Sequence, residues 1–261
     1  MGQELLGVKQ QEVLSSVHNA IRILKAFSME ERELGISELS SRLGLAKSTV
    51  FRLMKTLNEA HLVEKNIESQ KYQLGIAAFE LGFMVYHSME LRRVAVPLLD
   101  KLMNSVRKVV RLGVYDQGGV VYLYKGSPEV RSVTKSKIGN RVSVYCTAVG
   151  KILLAFQSKQ EIDRVLAGEL TAYTPHTITQ PEVIKTRLTQ IRKTGVAVTH
   201  EELRLGICSV AVPVYNDLGK VIAAISVTGN KSHFYPAQIQ YYVKEMNIYS
   251  RLITEQLGLN P

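Results

Sequence analysis

Between Val17 and Phe27 the apolar side chains Val17, Ile21 and Leu24, with Ile23 and Phe27 beside them, fall at the spacing of one helical face. Ser15 or Ser16 can cap the start of that helix. After charged residues from Glu30 to Glu33, a shorter helix follows. Its Leu39 and Leu43 turn inward, Ser37 can cap it, and Gly44 can end it with a positive backbone angle. A third helix is predicted from Ala46 to about Ala60, because Val50, Leu53, Met54 and Leu57 stand at i, i+3, i+4 and i+7. Phe51 is expected to join those four in the core. Leu62 to Lys65 and Lys71 to Leu74 read as two short strands of a hairpin, joined by the polar stretch Asn66 to Gln70.

Gly75 breaks this pattern, and a helix from Ile76 to about Leu91 carries Phe79, Phe83 and Tyr86. It is too apolar to stand alone in water and needs a partner surface. Pro97 suits the first turn of a next helix, from Val96 to about Val106, where its missing N–H costs nothing. From Val109 the period changes to that of strands. These are Val109 to Tyr115 and Val120 to Lys125 around a Gln117-Gly118-Gly119 turn, then Ala197 to His200, Cys208 to Tyr215 and Val221 to Thr228. Helices fill the intervals at Thr147 to Phe156, Lys159 to Leu166, Pro181 to Thr194 and Pro236 to Leu257. The outcome is an α+β chain whose second part rests on a mainly antiparallel sheet.

Its 261 residues, 46% of them apolar, suffice for a small and a medium domain with separate cores. Cys146 and Cys208 stand far apart in no CxxC spacing, which points away from a disulfide framework or structural zinc and toward a reducing compartment. Apolar runs such as Val221 to Ile225 are too short to span a bilayer, so a soluble, cytoplasmic protein without membrane partners is expected. The formal charge of +10 invites a nucleic-acid reading, yet its distribution complicates it. Residues 1–86 carry ten Lys and Arg against ten Glu, so the whole excess lies downstream.

Local charge is more telling. Helix, helix, Gly-containing turn, helix and two-stranded wing is the order of a winged helix-turn-helix, whose third helix enters the major groove. No acidic residue stands between Glu38 and Glu59. Ser48 and Thr49 can bond phosphates or base edges, Arg52 can reach guanine, and Lys47 and Lys55 can meet phosphates, with Thr56 on the same face. On the wing, Lys65 and Lys71 can reach the neighbouring backbone or minor groove. The alternative for the same pattern is a protein-docking module of three helices and a hairpin.

The run Gly44-Leu45-Ala46-Lys47-Ser48-Thr49-Val50-Phe51-Arg52-Leu53-Met54-Lys55-Thr56-Leu57, followed by Tyr72-Gln73-Leu74-Gly75, resembles the DNA-binding signature of the IclR family of bacterial transcription regulators. Downstream, Gly139-Asn140-Arg141, Thr147-Ala148-Val149-Gly150-Lys151, Glu201-Glu202, Gly206 and Val210-Ala211-Val212-Pro213-Val214 resemble that family's effector domain in order and spacing. The resemblance implies a GAF-like C-terminal domain that binds a small, carboxylate-bearing metabolite. It places the ligand carboxylate on the Ala148 and Val149 amides at a helix start, where an anion is favoured. Thr199, Ser209, Ser226 and Thr228 fall at its lining positions. The chain departs from many members in carrying Ser143 and Tyr145 where Pro and His are common. It also has Thr199 where an acidic residue is sometimes found. Lys151 is expected to turn outward with a structural role.

Enzyme readings fare poorly. His200-Glu201-Glu202-Leu203-Arg204 begins like a zinc-protease helix but has Arg204 where the second His belongs. The six histidines show no metal-ligand spacing, and no GxSxG elbow surrounds Cys146, Cys208 or Ser209, for which His176 or His200 would be the base. No phosphate loop or dinucleotide turn occurs. No catalytic residue, metal or cofactor is therefore expected. The sequence is best described as a winged helix-turn-helix at 1–75, a linker and dimerisation helix at 76–92, and a GAF-like effector domain at 93–261. Its expected partners are an inverted-repeat DNA operator, an organic-acid effector and further copies of itself as a dimer or tetramer. The resemblance implies a repressor; the competing reading is a metabolite-binding enzyme with a docking module.

Overall fold

The computed structural model describes residues 14–28, 30–128, 138–139 and 141–258, so Asn140 of the Gly-Asn-Arg motif lies outside the described residues. The chain divides into two compact units, Met1–Tyr86 and His87–Pro261.

In the first unit, α1 (Ser15–Leu24), α2 (Ile36–Leu43) and α3 (Lys47–Glu59) precede a hairpin of β1 (Val63–Lys65) and β2 (Tyr72–Leu74). Ile23, Leu39, Val50, Met54, Leu57, Val63 and Tyr72 form its core. α2 ends on Gly44 at φ 65°, the left-handed conformation its sequence predicts. Its start differs from expectation. The cap is Gly35 rather than Ser37, and the Glu38 carboxylate reaches back one turn to accept the Gly35 N–H at 2.6 Å. α1 likewise begins at Leu14 with no side-chain cap from Ser15 or Ser16, and Val17 and Ile21 stay largely exposed because Ile23 is the residue that enters the core. Phe51 is 53% exposed, outside the core predicted for it, since the buried stripe of α3 is Val50, Met54 and Leu57.

A helix α4 (Ile76–Ser88) follows, and none of its residues is buried. Its Phe79 and Phe83 rings, one turn apart, lie 5.6 Å centroid to centroid. The second helix of this stretch, α5 (Glu90–Val106), starts earlier than predicted and holds Pro97 in its interior. Burial of Val94, Ala95, Leu98, Leu99 and Leu102 along one face compensates for the backbone bond a proline removes.

The second unit is built on a six-stranded sheet in the order β5-β4-β3-β8-β7-β6, with every pair antiparallel. The strands are β3 (Val109–Asp116), β4 (Gly119–Gly126), β5 (Arg141–Ser143), β6 (Ala197–His200), β7 (Ile207–Tyr215) and β8 (Val221–Asn230). Strand β5 has no counterpart in the sequence reading. Its three residues are too few for a visible period. α5 and α9 (Pro236–Gly258) pack on one face over Val110, Leu112, Val210, Val212, Ile225 and Val227. On the other face α6 (Ala148–Ala155) and α8 (Pro181–Thr194) cover Val120, Tyr122, Ala197, Ala211 and Ala224, and α7 (Lys159–Leu166) lies between them in sequence.

Candidate functional site

On α3 the polar face is arranged as its sequence requires. Lys47, Ser48, Thr49, Arg52, Lys55 and Thr56 are all exposed, while Val50, Met54 and Leu57 anchor the opposite side. Thr56 Oγ1 donates to the Arg52 carbonyl at 3.2 Å, and Lys55 lies 4.0 Å from Glu59 one turn on. The pair is exposed at both ends and contributes little. Thr49, Arg52 and Thr56 also border a groove of about 460 Å³ whose other wall is Ser15, Ser16, Val17, Asn19 and Ala20 of α1. On the wing, Lys65 is exposed, with Nζ 6.0 Å from the Tyr72 ring. Lys71 has a structural task, because its ammonium meets Glu38 at 2.7 Å and ties β2 to the start of α2. The hairpin tip is held similarly, with Asn66 and Ser69 each donating to Glu33 at 2.7 Å.

In the second unit, strand register brings the sequence-selected hydroxyls together. Thr199 on β6 stands opposite Ser209 on β7, and Ser209 opposite Thr228 on β8. Ser226 lies two residues from Thr228 and so shares its face. Thr199, Ser226 and Thr228 are buried, and Ser209 Oγ lies 2.8 Å from Thr228 Oγ1. α6 packs across β3, β8, β7 and β6 on this face. Its cap is Thr147, whose Oγ1 accepts the Gly150 N–H at 3.0 Å. The Lys151 N–H bonds the Thr147 carbonyl at 2.9 Å, so the amides of Ala148 and Val149 precede any acceptor inside the helix. The helix start is therefore electropositive.

Comparison with known proteins identifies the lineage. A family model described as "Bacterial transcriptional regulator IclR C-terminal" matches residues 83–254, and "IclR helix-turn-helix domain" matches residues 16–66. The chain belongs to the IclR family. It is 36% identical over 251 residues to the HTH-type transcriptional regulator KdgR of Escherichia coli strain K12, covering 96% of this chain and 95% of KdgR. The HTH-type transcriptional repressor AllR of Klebsiella pneumoniae is 27% identical, covering 96% and 93%. Among solved structures, an IclR transcriptional regulator from Alicyclobacillus acidocaldarius superposes with a TM-score of 0.82 at 28% identity, covering 95% of this chain and all of that one. As an IclR-family member the protein is a DNA-binding transcription regulator with a ligand-binding C-terminal domain, not an enzyme.

The side chains considered for nucleophilic chemistry agree with that assignment. Burial pushes the Cys146 thiol up to about 12, so it stays protonated. Cys208 Sγ lies 3.5 Å from His200 Nδ1, but the thiol is buried in the core beneath α5 and α9 and burial raises its pKa too. Ser209 bonds a threonine rather than a histidine. Among the described residues no cluster of His, Cys, Asp and Glu could hold a metal, and no helix is long and apolar enough to cross a membrane.

Three features of this IclR effector domain escape sequence reasoning. Lys151 turns inward, not outward: it is 2% exposed and ion-paired with Glu202, itself 4% exposed. Ser143 and Tyr145 both reach the segment after α7, Ser143 to the Tyr173 hydroxyl and Tyr145 to the Thr171 carbonyl, each at 2.9 Å. Arg111, a single cation inside the apolar run Val109-Val110-Arg111-Leu112, is buried on the α6 face of β3. That lone charge was the signal that could have marked it.

Proposed function

We propose that this regulator is a cytoplasmic repressor. A dimer would hold an inverted-repeat operator through α3 and release it when a small carboxylate-bearing metabolite binds the α6 face of the sheet. The observation that carries the reading is the pairing of an electropositive helix start, at Ala148 and Val149, with the hydroxyl row Thr199, Ser209, Thr228 and the adjacent Ser226. Helix N-termini favour anions, and hydroxyls give and accept hydrogen bonds to fix the rest of a polar ligand. The named repressor AllR supports the sign of regulation. Lys47, Ser48, Thr49, Arg52, Lys55, Thr56 and Lys65 make up the DNA face, with Lys71 contributing charge from within its ion pair.

The working division is a DNA-binding domain at 1–75, a linker at 76–92 and an effector domain at 93–261. Exposed Ile76, Phe79, Leu81, Met84 and their neighbours on α4 give the linker an apolar surface fit for self-association. Pairing two subunits there would set two α3 helices on half-sites about 34 Å apart, and further pairing would give a tetramer. An effector shifts the equilibrium only by its difference in affinity between the operator-bound and released arrangements.

Arg52→Ala is expected to weaken operator binding roughly tenfold to a hundredfold and to relax sequence preference at one position of each half-site. Lys47→Ala is expected instead to weaken all sequences alike and to lower the salt slope by about one. The measurement is a titration of the full-length protein against genomic fragments it enriches at several salt concentrations. If neither variant alters affinity or slope, α3 does not read DNA. Ser226→Ala and Thr228→Ala are each expected to blunt ligand-induced release while leaving operator affinity without ligand intact, measured in the same titration with and without metabolite.

A further inference from the structure

Arg111 on β3 stands directly across from Ser226 on β8, Ser226 across from Ala211 on β7, and Ala211 across from Ala197 on β6. Two residues along the strands, and so on the same face, runs the hydroxyl row of Thr199, Ser209 and Thr228. In this antiparallel sheet, residues two apart share a face, so Arg111 points to the same side as Gly113. Above Gly113 the start of α6 and the Tyr122 ring converge: a Cβ there would lie 2.8 Å from Val149 Cγ1 and 3.4 Å from Tyr122 Cδ1. The Arg111 guanidinium rests over the Tyr122 ring, Cζ 5.6 Å from its centroid, and the residue is 4% exposed. A fixed buried cation, the two leading amides of a helix and four hydroxyls thus share one covered face.

A guanidinium keeps its charge across the working pH range, and its planar fork matches the two oxygens of a carboxylate. The Tyr122 ring beneath Cζ holds the guanidinium on this face. Burial opposes the charge, and desolvation is the main influence lowering the Arg111 pKa. A ligand carboxylate on this face forms a charge-assisted hydrogen bond with the guanidinium that a neutral ligand of the same shape cannot match.

We propose that Arg111 is an effector-binding residue that receives the carboxylate of a small hydroxylated acid and makes the site prefer acids to the corresponding alcohols. The inference rests on reading the α6 face as the effector site. The Ala148 and Val149 amides and Arg111 supply its positive end, and Thr199, Ser209, Ser226 and Thr228 meet the hydroxyls.

The test uses the full-length protein with acid and alcohol pairs: lactate with propane-1,2-diol, D-glycerate with glycerol, and D-gluconate with D-glucitol. Melting-temperature shifts find the binders and calorimetry gives their dissociation constants. At least one acid is expected to stabilise the wild type where its alcohol does not. Arg111→Gln is expected to weaken that acid about tenfold or more, with Arg111→Lys intermediate. Equal affinity of wild type and Arg111→Gln, equal binding of acid and alcohol, or no shift with any acid overturns the proposal. Should Arg111→Gln fail to fold, Arg111→Lys carries the test, and unchanged affinity overturns it. Loss of acid binding in Ser226→Ala but not in Arg111→Gln removes Arg111 alone from the site; wild-type binding by both variants removes the sheet face as well.

Discussion

Glu202→Ala is expected to lower the unfolding free energy of the C-terminal unit by about 3–5 kcal/mol, the cost of stranding one member of a buried ion pair. Lys151 and Glu202 are 2% and 4% exposed, so water cannot take the place of either partner without opening the fold. Burial pushes the Lys151 pKa below the ordinary 10.5, and Glu202 is the chief influence holding it up. The other Glu202 oxygen, Oε2, is buried and accepts no hydrogen bond from the described residues, so the carboxylate depends on that one lysine. Thr174 and Thr177 hold the backbone in place by donating to the Glu201 and Glu202 carbonyls at 2.7 and 2.6 Å.

Calorimetric unfolding of the full-length chain, with hydrogen exchange at α6 to assign the transition, measures the effect. The double variant Lys151→Met/Glu202→Leu is expected to recover most of the loss, because two apolar groups need no partner. A loss below about 1 kcal/mol for Glu202→Ala would mean the pair is solvated like a surface one. The pH dependence has a definite sign. Lys151 has a folded pKa below its unfolded value, so the unfolded chain binds the extra proton and this residue's contribution to stability rises as pH climbs toward 10.5.

Gly150→Ala is expected to cost about 3 kcal/mol, the upper end of what overpacking usually does. A Cβ at Gly150 would lie 2.4 Å from both Cα and the carbonyl oxygen of Val144 and 2.6 Å from Thr147 Oγ1. Two of those atoms are backbone and the third is the oxygen that caps α6, so the helix start itself must move. Because Ala148 and Val149 move with it, acid binding is expected to weaken along with stability. Gly168→Ala is the comparison, since its nearest neighbour would be the Val165 carbonyl at 3.4 Å and its effect is expected within about 0.5 kcal/mol. Equal melting temperatures for the two variants would show that α6 yields at no cost.

Local signals explain where sequence reading succeeded. The stripe Val50, Met54, Leu57 and the Gly44 stop are written in one or two turns of chain, and the structure keeps both. α7 and α8 begin and end where their periodicity places them, with Pro181 and Gly195 marking the limits of α8. Caps were less legible. Ser37 is an acceptable cap by residue type, but Glu38 already satisfies the Gly35 N–H and meets Lys71 from a distant strand. Pro97 marks a boundary by residue type, yet α5 starts before it, because packing of Leu98, Leu99 and Leu102 against the sheet carries the helix through the proline.

The order of elements, the α+β class, the polar face of α3 and the residues that mark an IclR-family regulator are written along the chain, because each depends on periods and motifs that span only a few neighbours. Which distant residues share a face is fixed by the folded chain alone. Folding sets Arg111 beside Ser226, buries Lys151 against Glu202 and draws Lys71 to Glu38. Those partners lie 33 or more positions apart in sequence. Strand register and helix packing, which no local propensity encodes, bring them within reach.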